Sequence, residues 1–331
     1  MWIYIARRIL IMVPTLLLIS ILSFVLIQLP PGDYLSTWIA QMEETGEQVD
    51  EAQIASLRKR YGLDQPFIVQ YWKWISGVVV GDFGQSFALR KPVGTLIWER
   101  LGLTVGIALV TMLLTWIIAI PIGIDSAVRQ YTVFDYLFTF IGFIGMATPP
   151  FLLALVVMYF AYTKMGISVG GLFSDQYAGA PWSPGKFFDL LKHLWIPILV
   201  LAVSSTAGLI RTVRANLLDQ LDMPYVETAR SKGVAPLKLL LKYPVRIAIN
   251  PVVSTIGWML PALVSGSVIV SLVLSLPTTG PLMLAALFSQ DMYLAGSFVM
   301  MLSVLTVIGT LISDILLAWV DPRIRFERKN A

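Results

Sequence analysis

The 331 residues are 57% hydrophobic and 13% charged, against roughly 25% charged in soluble domains, so the composition excludes an ordinary soluble fold and indicates a membrane protein. With no cysteine and a single histidine, His193, there is no disulfide framework and no basis for thiolate chemistry or a His/Cys metal cluster. The net charge of +4 could suit nucleic acid, but its distribution along the chain argues against that partner.

A spanning helix needs roughly 20 mainly apolar residues. Six windows meet this, at about 9–29, 101–124, 136–162, 194–213, 252–276 and 297–320. The expected fold class is therefore an all-α integral membrane protein with six transmembrane helices. The first apolar run, Ile9 to Leu29, outlasts the roughly 7–15 residues of a cleavable signal, and no A-x-A-like site follows, so it is read as a retained helix. Arg7 and Arg8 precede it. The 211–250 loop carries Arg211, Arg214, Arg230, Lys232, Lys238, Lys242 and Arg246, and the tail carries Arg323, Arg325, Arg328 and Lys329. With six spans these clusters share one side, which places both termini in the cytoplasm. The excess charge is then positive-inside bias at a cytoplasmic membrane.

Four regions follow: an N-terminal transmembrane helix (1–30), an external helical segment (31–100), a five-helix core (101–320) and a cytoplasmic tail (321–331). The external segment contains the acidic run Glu43, Glu44, Glu47, Asp50 and Glu51. Apolar residues recur at Ile54, Leu57 and Tyr61 before a glycine stop at Gly62. Pro66 opens a second helical pattern that sets Phe67, Tyr71, Trp74 and Ile75 on one face. The glycine-punctuated run 77–87 is expected to be irregular. This segment suits a cap packed on the bundle, and a docking surface for an external partner is the other reading.

In the fourth span Ser204, Ser205 and Thr206 suit either packing or a polar path, and His193 is expected at its outer mouth. The stretch "PYVETARSKG" (224–233) reads as a short cytoplasmic helix. Asp222 is the expected N-cap, with Pro224 in the first turn. Glu227 lies near the positive end of the helix dipole and Arg230 and Lys232 near the negative end. Gly233 suits the position after the last turn, and Tyr225, Val226 and Ala229 share one face. At about 1.5 Å per residue the rod is about 15 Å long, too short to span or to be stable alone. A positive-inside loop, a lipid-surface helix and a helix docked on another protein all remain open.

The fifth span carries Ser254, Gly257, Pro261 and Ser265 at i, i+3, i+7 and i+11. Such a small-residue stripe suits close helix packing or the wall of a translocation pathway. Asp314 is the one charge clearly inside a span, and a proton-driven transporter would be expected to hold more. "APWSPGKF" (180–187) is the nearest approach to a phosphate loop. It lacks the first glycine and ends in Phe187 where Ser or Thr is needed.

The run "ETARSKG" (227–233) resembles the EAA signature of importer-type ABC permeases, with Glu227, Ala229 and Gly233 matching and Thr228 replacing the middle alanine. "AINPVVS" (248–254) is similar to the dipeptide/oligopeptide branch. So are "ARRILIMVPTLLLISILSFVLIQLPPGD" (6–33), "YGLDQPFIVQYWKWISGVVVGDFGQSF" (61–87), "TPPFLLAL" (148–155) and "DILLAWVDPRIRF" (314–326), which match its first-permease type. "VSLVLSLPTTG" (270–280) departs from that branch, with Ser271 near the position where an acidic residue is usual.

The resemblance implies that 223–233 is a coupling helix docked on an ATPase subunit, with Tyr225, Glu227, Thr228, Ala229, Arg230 and Gly233 as its coupling residues. It also implies a second permease, two ATPase subunits, an external substrate-binding protein, and ATP and Mg²⁺ held by those partners, with no cofactor in this chain. The substrates it implies are di- and oligopeptides, with oligosaccharides or nickel complexes as the alternative. A stand-alone secondary transporter would show inverted repeats and midplane charges, and a membrane scaffold would sit less well with spans rich in Pro and Gly.

Overall fold

The computed structural model describes residues 2–29, 35, 36, 39, 42, 54–56, 58, 59, 62, 64–166 and 170–320, and its regular elements are helical. In chain order they are α1 (Trp2–Gln28), α2 (Phe67–Val79), α3 (Val93–Val128), α4 (Val133–Ala147) and α5 (Pro150–Met165). A single turn at Asp175–Ala178 precedes α6 (Pro184–Leu221). Four short helices follow: α7 (Pro224–Ser231), α8 (Pro236–Lys242), α9 (Pro244–Ala248) and α10 (Asn250–Ser254). The chain then forms α11 (Ile256–Val273), α12 (Thr279–Phe288) and α13 (Met292–Val320). The acidic run 43–51, Leu57, Tyr61 and the tail from 321 lie outside the described residues.

Among the described residues, α1, α3, α6 and α13 are long and apolar enough to cross a membrane. The window expected at 136–162 is two helices, α4 and α5, bent by 101°. Counted together, they make a fifth candidate span. The break has a local cause. Thr148 and Pro149 each precede a proline, which pushes them to extended backbone, and neither proline has an N–H to continue the helical ladder. Their ψ values are 117 and 133. The window expected at 252–276 is likewise divided, between α10 and α11.

The chain separates into two compact units, Met1–Thr104 with Thr278–Leu305, and Val105–Pro277 with Thr306–Ala331. In the first unit α2 packs on α1. Phe24 meets Phe67 and Tyr71 edge-on at 5.1 and 5.4 Å and stacks on Trp74 at 5.7 Å. Ser20 and Tyr71 hydroxyls bond at 2.8 Å. Gly62 has φ +68, in keeping with the expected stop. The helix opened by Pro66 runs on to Val79, so only the later part of 77–87 is irregular. Asp291, fully buried, ties that irregular run to the start of α13: its carboxylate accepts from Ser86 Oγ at 2.6 Å and from the N–H groups of Ala88 and Leu294. Burial pushes the Asp291 carboxyl above its ordinary pKa, and those hydrogen bonds act in the opposite direction.

In the second unit α6 is the central rod. A Cβ on Gly123 of α3 would lie 2.7 Å from Val213 Cβ, and one on Gly145 of α4 would lie 3.2 Å from Val203 Cγ1. These glycines let α3 and α4 approach α6 closely. The start of α6 explains "APWSPGKF": Ser183 caps the helix and Pro184 occupies its first turn. Lys186 donates to the Ala180 carbonyl at 2.6 Å and lies over the rings of Phe173 and Trp182. It is a caged helix-start lysine. His193, expected at an interface, is buried, with Nδ1 2.8 Å from the Asp189 carbonyl. Asp189 in turn accepts from the N–H and hydroxyl of Ser174.

Candidate functional site

Prolines at 224, 236, 244 and 251 each stand in the first turn of a short helix. There the missing N–H removes no ladder bond; Met223 and Ala235, before the first two of these prolines, are extended with ψ 143 and 139, whereas Tyr243 and Asn250 stay in the right-handed region. This repeated device folds the segment after α6 into α7 to α10. Asp222, expected to cap α7, instead closes the end of α6, and Met223 takes the N-cap position with φ −72 and ψ 143 and no side-chain cap bond. A proline disfavours helical backbone at the residue directly before it, and here that residue is Met223, which is extended.

The other expectations for α7 are met locally. Glu227 lies in its first turn and Arg230 in its last. Gly233 has φ +74. Its N–H donates to the Arg230 carbonyl at 3.0 Å, and the N–H of Val234 donates to the Ala229 carbonyl at 3.4 Å. This paired closure is a Schellman motif, which satisfies the terminal carbonyls and needs a left-handed residue at its turn. Thr228 donates its hydroxyl to the Pro224 carbonyl at 2.8 Å. Its side chain therefore serves the helix while its position stays exposed.

Two contacts hold α7 down. Val226 and Ala229 are buried with Leu239 of α8, and Tyr225, Val234 and Tyr243 pack around them. Tyr225 also donates its hydroxyl to Gln220 Oε1 of α6 at 2.9 Å. What faces outward is polar: Glu227, Thr228, Arg230 and Lys232 are exposed. A rod of eight residues is thus pinned on its apolar side and presents a mixed-charge ridge.

Sequence reasoning missed α8, although "PLKLLLK" carries the same leading proline. It also placed Arg214 in the 211–250 loop. Arg214 lies on α6, which continues to Leu221, and it donates from Nε and Nη2 to the two carboxylate oxygens of Asp135, each at 2.9 Å.

The small-residue stripe of the fifth window divides. Gly257 is buried against α13, where a Cβ would lie 3.1 Å from Thr310 Cα, and a Cβ on Gly309 would lie 3.3 Å from the Gly257 carbonyl oxygen. Ser254 and Ser265 are exposed and bond back to the carbonyls of Asn250 and Pro261. Pro261 is half-buried inside α11. Ser205, in the fourth window, bonds back to Leu201. Ser271 is buried, and its carbonyl accepts the Leu276 N–H at 2.8 Å to close α11.

Comparison with known proteins places this geometry in a family. Residues 119–326 match the family of the binding-protein-dependent transport system inner membrane component, and residues 1–108 match the N-terminal family of such membrane components. The oligopeptide transport system permease protein AppB of Bacillus subtilis is 38% identical over 98% of this chain and 99% of its own length. The glutathione transport system permease protein GsiC of Salmonella typhimurium is 31% identical over 98% of this chain and 99% of its own. In solved structures, a chain of the MetNI methionine ABC transporter superposes with a TM-score of 0.50 at 18% identity, covering 68% of this chain and 96% of that chain. This likeness is one of fold. The chain belongs to the binding-protein-dependent transport system inner membrane components.

Proposed function

We propose that this protein is the permease subunit of an ATP-driven importer that passes peptides, delivered by an external binding protein, across the cytoplasmic membrane. The family membership and the full-length similarity to oligopeptide and glutathione permeases support the transport role and the peptide class. The observation that carries the coupling role is α7, a capped helix pinned by Val226, Ala229 and Tyr225 that offers Glu227, Thr228 and Arg230 outward.

In this reading the chain crosses six times with both termini in the cytoplasm, α4 with α5 and α10 with α11 serving as the two interrupted crossings. A second permease completes the pathway, and ATP and Mg²⁺ bind on two ATPase subunits. Tyr225 and Ala229 fix the coupling helix, Glu227, Thr228 and Arg230 meet the ATPase, and Gly233 ends the rod so that it moves as one piece. Nucleotide-driven closure of the ATPases displaces α7 and switches the bundle between inward-open and outward-open states. Ser254, Pro261 and Ser265 line the pathway, while Gly257 sets the helix spacing behind them.

Purification from native membranes tests the assembly, with co-isolation of ATPase subunits and a second permease expected. Glu227→Lys and Gly233→Pro are expected to leave the chain inserted while uncoupling peptide uptake from ATP hydrolysis. Wild-type uptake together with wild-type ATPase stimulation in both variants would overturn the coupling role.

A further inference from the structure

A lever is useful only if its movement reaches the helices that line the path. Close packing at Gly123 and Gly145 seats α3 and α4 on α6, but the apolar attraction behind it is non-directional and fixes no particular side-chain orientation at the start of α4. A bidentate arginine–carboxylate pair does fix direction, because two parallel bonds lock the planes of both groups. Among the described residues, Asp135 is the α4 side chain that hydrogen-bonds to α6, and Arg214 is its partner.

The surroundings of the pair make it stiff. Asp135 is buried in the first turn of α4, and its carboxylate also accepts the Tyr131 N–H at 3.1 Å. Tyr131 has φ +61, a conformation that a non-glycine residue holds only when its neighbours enforce it. Thr132 caps α4 through the Asp135 N–H and donates its hydroxyl to the Arg129 carbonyl. The turn between α3 and α4 is therefore closed on the same carboxylate that holds α6.

On the α6 side, Arg214 lies three residues before Leu217, one turn along the same face. Leu217 is buried with Ala127 of α3 and with Val245 and Ala248 of α9. Beyond it, Gln220 holds Tyr225 of α7. A chain of contacts thus runs from α7 through the end of α6 to Arg214, Asp135 and the start of α4. The outward face of α4 is bare, with Val133, Phe134 and Leu137 81%, 58% and 47% exposed, so α4 is held through its inward face, by Asp135 at its start and by the close approach of Gly145 to Val203 of α6 further along.

We propose that the Asp135–Arg214 pair is a positioning contact that makes the start of α4 move as one body with the end of α6 and the coupling helix. Displacement of α7 is then delivered to the bent pair α4–α5. This rests on the reading of α7 as the coupling helix, and the test separates the two.

The chain has no native cysteine, so spin labels can be placed at Phe140→Cys on α4 and Lys238→Cys on α8, both exposed positions. In the complete importer, assembled with cysteine-free ATPase subunits, the distance between these labels is measured without nucleotide and after trapping with ATP and vanadate. One rigid body predicts the same distance in both states for the wild-type pair. In Asp135→Asn and Arg214→Gln, with ATPase subunits still bound, trapping is expected to shift or broaden that distance. The ATP consumed per peptide moved is expected to rise on the order of tenfold, because breaking a partly buried pair strands its remaining charge. The double variant is expected to behave no worse than the worse single one, as for residues acting as a unit.

Three results would overturn the proposal: a nucleotide-dependent distance in the wild type, an unchanged distance in both single variants, or loss of ATPase co-purification, which would make the pair a folding element. Glu227→Lys is measured alongside. If it retains coupling, the assignment of α7 fails whatever the labels report.

Discussion

Gly233 provides the sharpest test of the coupling role proposed for α7, since its part in that helix reduces to one backbone angle. Its φ is +74, and no atom lies within 4 Å of the point a Cβ would occupy, so a side chain here would meet open space. Any penalty must therefore come from the backbone. An L-residue in the left-handed region is disfavoured by about 1–2 kcal/mol, and the reduced freedom of the unfolded chain returns about 0.4–1 kcal/mol for alanine. Gly233→Ala should then weaken the closed end of α7 by about 1 kcal/mol, roughly a fivefold rise in its open population. Asparagine tolerates left-handed backbone better than other non-glycine residues, so Gly233→Asn should fall between. Proline is locked near φ −65° and also removes the N–H that bonds the Arg230 carbonyl, so Gly233→Pro should open the motif outright. Amide hydrogen exchange over 224–234 in the assembled importer reads the opening, and peptide uptake per ATP hydrolysed reads its consequence. The expected order is Gly, Asn, Ala, Pro. If Asn proved as harmful as Ala in exchange, or if uptake ignored an order that exchange obeyed, the reasoning would fail.

Further outcomes follow from other contacts. Val226→Ala removes two buried methyl groups from the fully buried seam between α7 and α8; about 1.6 kcal/mol of local stability should be lost at about 0.8 per carbon, seen as faster exchange in both helices. Gly123→Ala places a methyl 2.7 Å from Val213, and such overpacking should lower stability by about 1–3 kcal/mol, read as a depressed melting temperature in detergent. Asp291 has its folded pKa raised, so the folded state holds that proton more tightly than the unfolded one. Its contribution is therefore most favourable below the ordinary aspartate pKa and is lost as pH climbs through the raised value. Asp291→Asn should flatten that part of the melting temperature against pH curve, and an unaltered slope would remove Asp291 from the account. Ser265→Trp should block peptide uptake while ATPase subunits stay bound, whereas unimpeded uptake would take Ser265 off the pathway.

Much of α7 was legible in the residues because its signals are local. A proline in the first turn, an acid early, a base late and a glycine after the last turn all act through bonds between residues a few positions apart. Asp222 does not cap α7, because the steric demand of Pro224 falls on its immediate neighbour, Met223. The doubled proline at 149–150 carried the same information, yet the apolar run across it reads as one span, because hydropathy sums over a window and does not register where a backbone N–H is missing.

Composition and periodicity by themselves determined that this is a helical membrane protein with a short, glycine-terminated helical rod, since burial in lipid and helix closure depend on residue type and near spacing. Tertiary structure alone decided which charges are loop charges and which are joints. Arg214 and Asp135 stand 79 positions apart, and nothing in either neighbourhood announces the other. The same holds for Gly257, whose packing against α13 and separation from the exposed serines of its own stripe depend on where a distant helix lies. Contacts between remote segments are selected by how whole helices fit together, and that selection is made only in three dimensions.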